Sequence, residues 1–305
     1  MLELTIQPPY TFAASICDHG WPALAPNQWL EAEQTLQRVE RLQDGQVVLL
    51  HITGREKNGG IGACTRVRIH VAGEQPLRPA AKRELRAKVR WMLKLDEDLS
   101  AFHGLAVAHP HLAWMSTQGR GRLLRSPTLW EDVVKTIATT NVTWGNTKAM
   151  IQRFVATLGA VFVSQPAYRA FPTPEEVAAA DPALFTDVIR MGYRNAYVMQ
   201  LAQEIVTGVR DLEALKQAQL PPAALKKELK SIKGIGDYAA HTLLMLLGAY
   251  GELPIDSEYR SFVSQRYFAA QPGTESTPTD KELAAIYDDW AEWKYLAYWF
   301  DHYGE

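Results

Sequence analysis

The spacing of apolar residues changes character once along the chain. From Leu2 to about Val71 apolar and polar positions alternate in short segments, such as Gln46 to Ile52 and Arg66 to Val71. Gly-rich turns, including Asn58, Gly59, Gly60 and Gly62, divide them. A period of two puts alternate side chains on one face, so this stretch predicts a small antiparallel sheet. Beyond Pro79 the signals are helical. Ser126 before Pro127 predicts an N-cap and a first helical position, Thr173-Pro174-Glu175-Glu176 a capping box, Asp181-Pro182 a third start, and Thr279 with Glu282 another box. Gly159, Gly192 and Gly208 stand where the corresponding helices should stop. The expected fold class is α+β. An antiparallel β-rich domain over residues 1–78 is followed by an all-helical region over residues 79–305, whose helices in 79–118 and 279–305 can pack with different subdomains.

Composition narrows the classes. A chain of 305 residues that is 47% hydrophobic and 22% charged has material for one large core or two or three smaller ones. No apolar run is long enough for a membrane helix, and Met1 to Tyr10 lacks the basic-then-apolar order of a secretory signal, so the cytoplasm is the default compartment. Cys17 and Cys64 can build neither a disulfide framework nor a four-cysteine zinc or iron–sulfur site, and both read as buried thiols. His103, His109 and His111 come nearest to ligand spacing and read as loop residues, which disfavours a metal hydrolase. No glycine loop for a nucleotide stands out, and no organic cofactor is expected.

The net charge of −2 conceals an uneven distribution. Arg78, Lys82, Arg83, Arg86, Lys88, Arg90 and Lys94 form a cationic run that reads as a solvated helix face. Arg120, Arg122 and Arg125 form a second group and Lys226, Lys227, Lys230 and Lys233 a third, both expected as patches for phosphate; the third abuts the most informative segment of the chain. There a Lys-rich helix runs into Ile232-Lys233-Gly234-Ile235-Gly236, and an apolar helix from Tyr238 to Leu247 follows. Two glycines around one aliphatic residue permit a tight turn that exposes backbone N–H groups at a helix N-terminus, a site for a phosphate oxygen, while Ile235 anchors the turn. Taken alone, Gly-x-Gly is more often a plain helix–helix connection.

The context is more specific. Ser231 to Ala240 followed by Leu253-Pro254-Ile255-Asp256 resembles the signature of the helix-hairpin-helix, Gly/Pro-Asp DNA glycosylase superfamily, with Lys233 where that family usually has proline. Gly121 to Leu124, Thr139-Thr140-Asn141, Phe171-Pro172 and Gly192 to Val198 are similar, in order, to segments of its 8-oxoguanine glycosylase branch. The Tyr10-to-Trp29 region resembles the start of the β-domain shared with bacterial 3-methyladenine glycosylases. The resemblance spans nearly the whole chain. It implies a monomeric enzyme of base excision repair that binds double-stranded DNA and no membrane. It implies phosphate contacts at Lys230, Lys233, Gly234, Ile235 and Gly236, and a structural sodium or potassium ion on the backbone of Lys230, Ile232 and Ile235.

Asp256 is the expected catalytic carboxylate, since cleavage of the bond between base and deoxyribose develops positive charge on the sugar. A plainer reading makes it the cap of the next helix, and the two roles are compatible. Such an enzyme extrudes its target nucleotide, and Asn141, Tyr193 and Arg194 match family positions that enter the duplex and meet the orphaned base. Bifunctional members carry a lysine nucleophile where this chain has Tyr238, and a phenol forms no Schiff base, so hydrolysis without strand nicking is implied. Trp144, Tyr238, Thr242, Tyr298 and Trp299 are the candidate base pocket, although an aromatic cluster at helical spacing is more often core. Aromatic faces suit cationic alkylated purines of the 3-methyladenine or 7-methylguanine type. Asn146 in place of an opposite-cytosine reader, and Tyr298 in place of a pocket amide, point the same way. 8-Oxoguanine and G·T or G·U mismatches remain alternatives. So does a noncatalytic helix-hairpin-helix DNA-binding protein, which leaves Leu253 to Asp256 without a purpose.

Overall fold

The structure, a computed structural model, describes residues 1–56, 64–269 and 278–304; the Gly-rich turn expected at Asn58 to Gly62 lies outside them. Contacts divide the chain into two units. One comprises Met1–Glu97, Thr117–Gln219 and Ile232–Gly234, the other Asp98–Ser116, Leu220–Ser231 and Ile235–Glu305.

In the first unit, β1 (Leu2–Thr5), β2 (Asn27–Leu30), β3 (Thr35–Arg41), β4 (Val47–Glu56) and β5 (Cys64–Ala72) form an antiparallel sheet in the order β1-β5-β4-β3-β2. Leu50 faces Val71 and Ile52 faces Ile69 across β4 and β5, so alternation puts these apolar residues in register. Strand β3 does not alternate, because six of its seven residues are buried. Its polar members are inside because they find partners there. Arg38 donates to both carboxylate oxygens of Glu131 at 2.9 and 2.7 Å and to Asn27 Oδ1 at 3.0 Å, and it pairs with Glu40 at 2.7 Å. Lys135 lies 2.7 Å from Glu131, and Lys88 lies 2.9 Å from Glu40. A buried charge is tolerated only with such partners.

Helix starts follow the sequence signals with one displacement. Capping boxes at Thr173 and Thr279 open helices Pro174–Ala178 and Asp280–Ala285, and Asp181 caps Pro182–Leu184. The start expected at Ser126-Pro127 falls instead at Thr128, which caps Leu129–Thr139. Ser126 is held outside the helix because its N–H donates to the buried Asp132 carboxylate, which also accepts from Trp21 Nε1 at 2.6 Å. Gly159 caps Trp144–Leu158 and Gly208 follows Arg194–Val206, whereas Gly192, at φ +63°, leads into that helix rather than ending one.

Two expectations for charged residues change. In helix Pro79–Met92, Ala81, Leu85, Val89 and Met92 are buried, and its cationic face is only partly solvated. Lys88 belongs to the ion pairs under the sheet, while Lys94, 1% exposed, is pushed down to about 8 by burial, with Glu97 opposing the shift. The arginines of Arg120 to Arg125 turn inward rather than forming a phosphate patch. Arg120 pairs with Asp18, Arg122 donates to the carbonyls of Lys94 and Glu97, and Arg125 lies 3.2 Å over the Trp91 ring. Planar guanidinium groups suit several carbonyls and a ring face at once. Cys64 is buried, but Cys17 is exposed, at the end of helix Phe12–Cys17.

The second unit contains Ser100–Ala108, Pro222–Lys230, Asp237–Leu247, Ser257–Val263, Asp280–Ala285 and Lys294–Tyr303. Helix Asp237–Leu247 is buried at every residue from Ala239 to Leu246, which is why its sequence is apolar all round, and it ends at Gly248 in the left-handed region (φ +91°). Helix Lys294–Tyr303 buries an aromatic face. On it Asp301 accepts from the hydroxyls of Tyr267 (2.5 Å) and Tyr287 (2.7 Å) and pairs with Arg266 at 3.0 Å. Of the three histidines expected in loops, His103 is buried inside Ser100–Ala108, and His109 stacks on Trp290 with centroids 4.6 Å apart.

Candidate active site

Asp256 is placed by the chain around Pro254. The N–H of Ile255 donates to the Leu253 carbonyl at 3.1 Å and that of Asp256 to the Pro254 carbonyl at 2.7 Å, so the backbone turns tightly into helix Ser257–Val263. Asp256 Oδ1 caps this helix, accepting from Tyr259 N at 2.9 Å. Among the described residues no hydrogen bond engages Oδ2. Capping therefore fixes the side chain while leaving one oxygen available. The carboxylate lies in the wall of a cavity of about 470 Å³, with Lys226, Tyr238, His241, Glu252 and Lys294.

The polar groups of this cavity are interlinked. Lys226 Nζ donates to Glu252 Oε2 at 2.6 Å and lies 3.1 Å from His241 Nε2. His241 Nδ1 is 2.8 Å from the carbonyl of Asp237. Burial, and next the charge of Lys226, lower the pKa of His241, so the ring is neutral, donating from Nδ1 and accepting at Nε2. Lys294 pairs with Asp288 at 2.5 Å. Neither cavity amine is without a carboxylate.

Of the five candidate pocket residues, Tyr238, 44% exposed, lines this cavity. Thr242 is buried, its hydroxyl donating to the Tyr238 carbonyl at 3.1 Å. Tyr298 is buried between Tyr295 (6.1 Å, 25°) and His302 (5.7 Å, 18°), and Trp299 packs on Tyr303 at 4.6 Å. Burial, followed by nearby charge including that of Asp256, raises the Tyr295 and Tyr298 hydroxyls far above their ordinary range. These phenols stay protonated. Trp144 belongs to the other unit, where it opens helix Trp144–Leu158, 40% exposed, against Gly20; a Cβ at Gly20 would lie 2.8 Å from its ring.

The three residues expected at the duplex come together in the first unit. Asn141 is exposed with φ +47°, its amide nitrogen 3.5 Å from the hydroxyl of Tyr193, which is 51% exposed. Arg194, by contrast, is 6% exposed and points inward. Sequence reasoning missed Tyr197. Its ring meets Tyr193 edge-on at 5.6 Å, lies 5.7 Å from Lys233 Nζ, and sits where a Cβ on Gly234 would approach to 2.5 Å. The spacing of Tyr193 and Tyr197, four apart on a helix, was the available signal. Gly234 is thus needed twice, for φ +93° and for the close approach.

At the second hairpin helix, Gly236 is the N-cap and offers no side chain to the first-turn N–H groups, while Ile235 is buried as expected. Lys230 pairs with Asp237 at 2.7 Å; among the described residues no ion pair engages Lys227 or Lys233, both exposed. The carbonyl of Ile232 in the first unit, and those of Lys230 and Ile235 in the second, accept no backbone hydrogen bond among the described residues. Among those residues no group of three or more His, Cys, Asp or Glu side chains could hold a metal, and no helix is long and apolar enough to cross a membrane.

No family model and no curated protein matches the sequence. Solved structures do. The chain is similar to the 3-methyladenine DNA glycosylase of Archaeoglobus fulgidus over 100% of both chains, with a TM-score of 0.75 at 18% identity. The 8-oxoguanine glycosylase/lyase of Clostridium acetobutylicum gives 0.61 at 19% identity, covering 87% of this chain and 88% of that one. MBOgg1, in complex with a low affinity DNA ligand, gives 0.62 at 18% identity over 99% and 100%. The protein has the fold of DNA glycosylases, and these three neighbours are named for the two activities whose branches its motifs resemble.

Proposed function

We propose that this chain is a monofunctional DNA glycosylase of base excision repair, which hydrolyses the N-glycosidic bond of an extruded alkylated purine. The observation that carries the reading is Asp256. One oxygen is locked by the helix cap while the carboxylate lies in a cavity wall beside Tyr238, in a fold shared with DNA glycosylases. A fixed anion beneath the sugar stabilises the cationic transition state without reorganising. Oδ2 is then the atom that faces the developing charge and orients the attacking water.

Hydrolysis rather than strand nicking follows from the amines. A Schiff base needs an amine nucleophile; Tyr238 supplies a phenol, and the cavity amines Lys226 and Lys294 are each held by a carboxylate. The exposed lysines Lys227 and Lys233 and the uncapped N–H groups after Gly236 would take the DNA phosphates, with a sodium or potassium ion on the hairpin carbonyls. The substrate assignment rests on Tyr238, the half-exposed ring in the cavity wall beside Asp256, whose face favours a cationic base. The likeness to a 3-methyladenine DNA glycosylase points the same way.

The test is base release from duplexes carrying methylated purines, 8-oxoguanine, hypoxanthine, uracil or a G·T mismatch, scored before and after alkali. Alkali-dependent breaks at methylated purines, absent in Asp256→Asn, are expected. Breaks without alkali would overturn the monofunctional reading. DNA binding with no release from any lesion would turn the assignment to a noncatalytic binding protein.

A further inference from the structure

We infer that Arg194 is a positioning residue that clamps the duplex-facing loops from beneath, and that the protein accordingly discriminates little among the bases opposite its target. This rests on the glycosylase reading above.

The guanidinium is enclosed and both terminal nitrogens are occupied, while Nε has no hydrogen-bond partner among the described residues. Its Nη1 donates to the Met191 carbonyl at 3.2 Å, and its Nη2 donates to the carbonyl of Thr140 and, at 3.5 Å, to that of Asn141. Its plane lies over the Tyr193 ring, 4.5 Å from Cζ to centroid. Thr140 closes helix Leu129–Thr139, so the cation sits at a helix C-terminus, where the dipole favours it. One side chain thereby joins the loop of Thr140 and Asn141 to the turn of Met191 to Tyr193 and supports Asn141 in its left-handed conformation. Swinging Arg194 outward would strip three carbonyls of a charged donor at once.

What remains on the outer side of this clamp is Asn141 and Tyr193, hydrogen-bonded to one another. A charged fork on a base edge would distinguish partners by about 5-fold to 150-fold. A phenol face and an amide tethered through its nitrogen present no charged fork, so they fill the gap in the stack and read it only weakly.

The experiment measures affinity for duplexes carrying an abasic-site analogue opposite A, C, G or T, for wild type, Arg194→Met and Arg194→Lys, with excision rates alongside. Wild-type affinities should differ by less than about fivefold among partners, since no charged fork faces the partner base and the Asn141 amide is tied to Tyr193. Arg194→Met should weaken all four by a common factor of about ten, and Arg194→Lys should recover part of it, since lysine replaces only some of the contacts. A wild-type preference above about tenfold for one partner, lost in Arg194→Met, would overturn the inference. The affinity comparison needs no turnover, so failure to release any base would refute the glycosylase reading separately. If Arg194→Met does not fold, amide exchange at residues 140–141 of DNA-free Arg194→Lys decides the matter: faster exchange supports the clamp and unchanged exchange refutes it.

Discussion

The two units bury polar groups by opposite means. Beneath the sheet of the first, full charges are enclosed and neutralise one another, with Arg38 held by Glu131 and Glu40, and Lys135 by Glu131. In the second, besides Asp301 with Arg266, many of the enclosed polar groups are phenols, such as Tyr287 on Asp301, Tyr259 on the Leu283 carbonyl, and Tyr295 and Tyr298 near Asp256. Paired ions tolerate burial only while every partner stays, and in return they fix geometry tightly. Phenols can be buried whole and remain neutral donors, so they leave the charge of Asp256 uncancelled. A scaffold can use the first device. A site that must stabilise a developing cation is better served by the second.

The largest effect should come from breaking the ionic device. Burial alone would raise Glu131, but Arg38 and Lys135 overcome it and hold its carboxyl down at about 2. Glu131→Gln, leaving cations unpaired in the interior, should destabilise the protein by about 3–5 kcal/mol in urea titrations at neutral pH. The sign with pH is definite. A depressed folded-state pKa contributes stability above the ordinary value, 4.5, that is lost as pH falls toward about 2. The wild type should lose stability over that interval, and the variant should lack this part of the slope.

Asp256→Asn should separate chemistry from architecture. Asparagine caps helices as well as aspartate does, so the melting temperature should scarcely move, while turnover falls by about 10²–10³ in single-turnover assays with DNA affinity retained. An equal loss of stability would mean that Asp256 serves the fold. Gly234→Ala comes next. The left-handed backbone and the approach to Tyr197 together should cost about 1–3 kcal/mol. A double-mutant cycle with Tyr197→Ala should recover only the steric part. The smallest effects should come from the two capping boxes. Thr173→Ala and Thr279→Ala should each cost about 1 kcal/mol, the exposed box at Thr279 less than the half-buried one at Thr173.

Where a function depends on short-range spacing, it could be read before folding. The hairpin glycines, Asp256 and the capping boxes each act within a few residues of themselves, and their patterns survive in one dimension. The charges of β3 could not be read this way. Arg38 and Glu131 are 93 residues apart, and their polar character argued for the surface until each found the other. The inward arginines at Arg120 to Arg125 misled for the same reason, and the enclosure of Arg194 was equally hidden: a sequence shows a charge but not the carbonyls that enclose it.

By itself, then, the sequence determined that a β-rich start gives way to helices, that two glycines form a tight hairpin with a carboxylate one helix away, and that no lysine stands at Tyr238. These follow from local backbone preferences and from side-chain chemistry. Only the tertiary structure decided which cations face solvent, that Tyr197 lies against Gly234, that Arg194 supports Asn141 from within, and that Tyr298 is enclosed. Burial and pairing are properties of segments far apart in the chain, and the energy of a charged or aromatic side chain is set by the neighbours that folding brings to it.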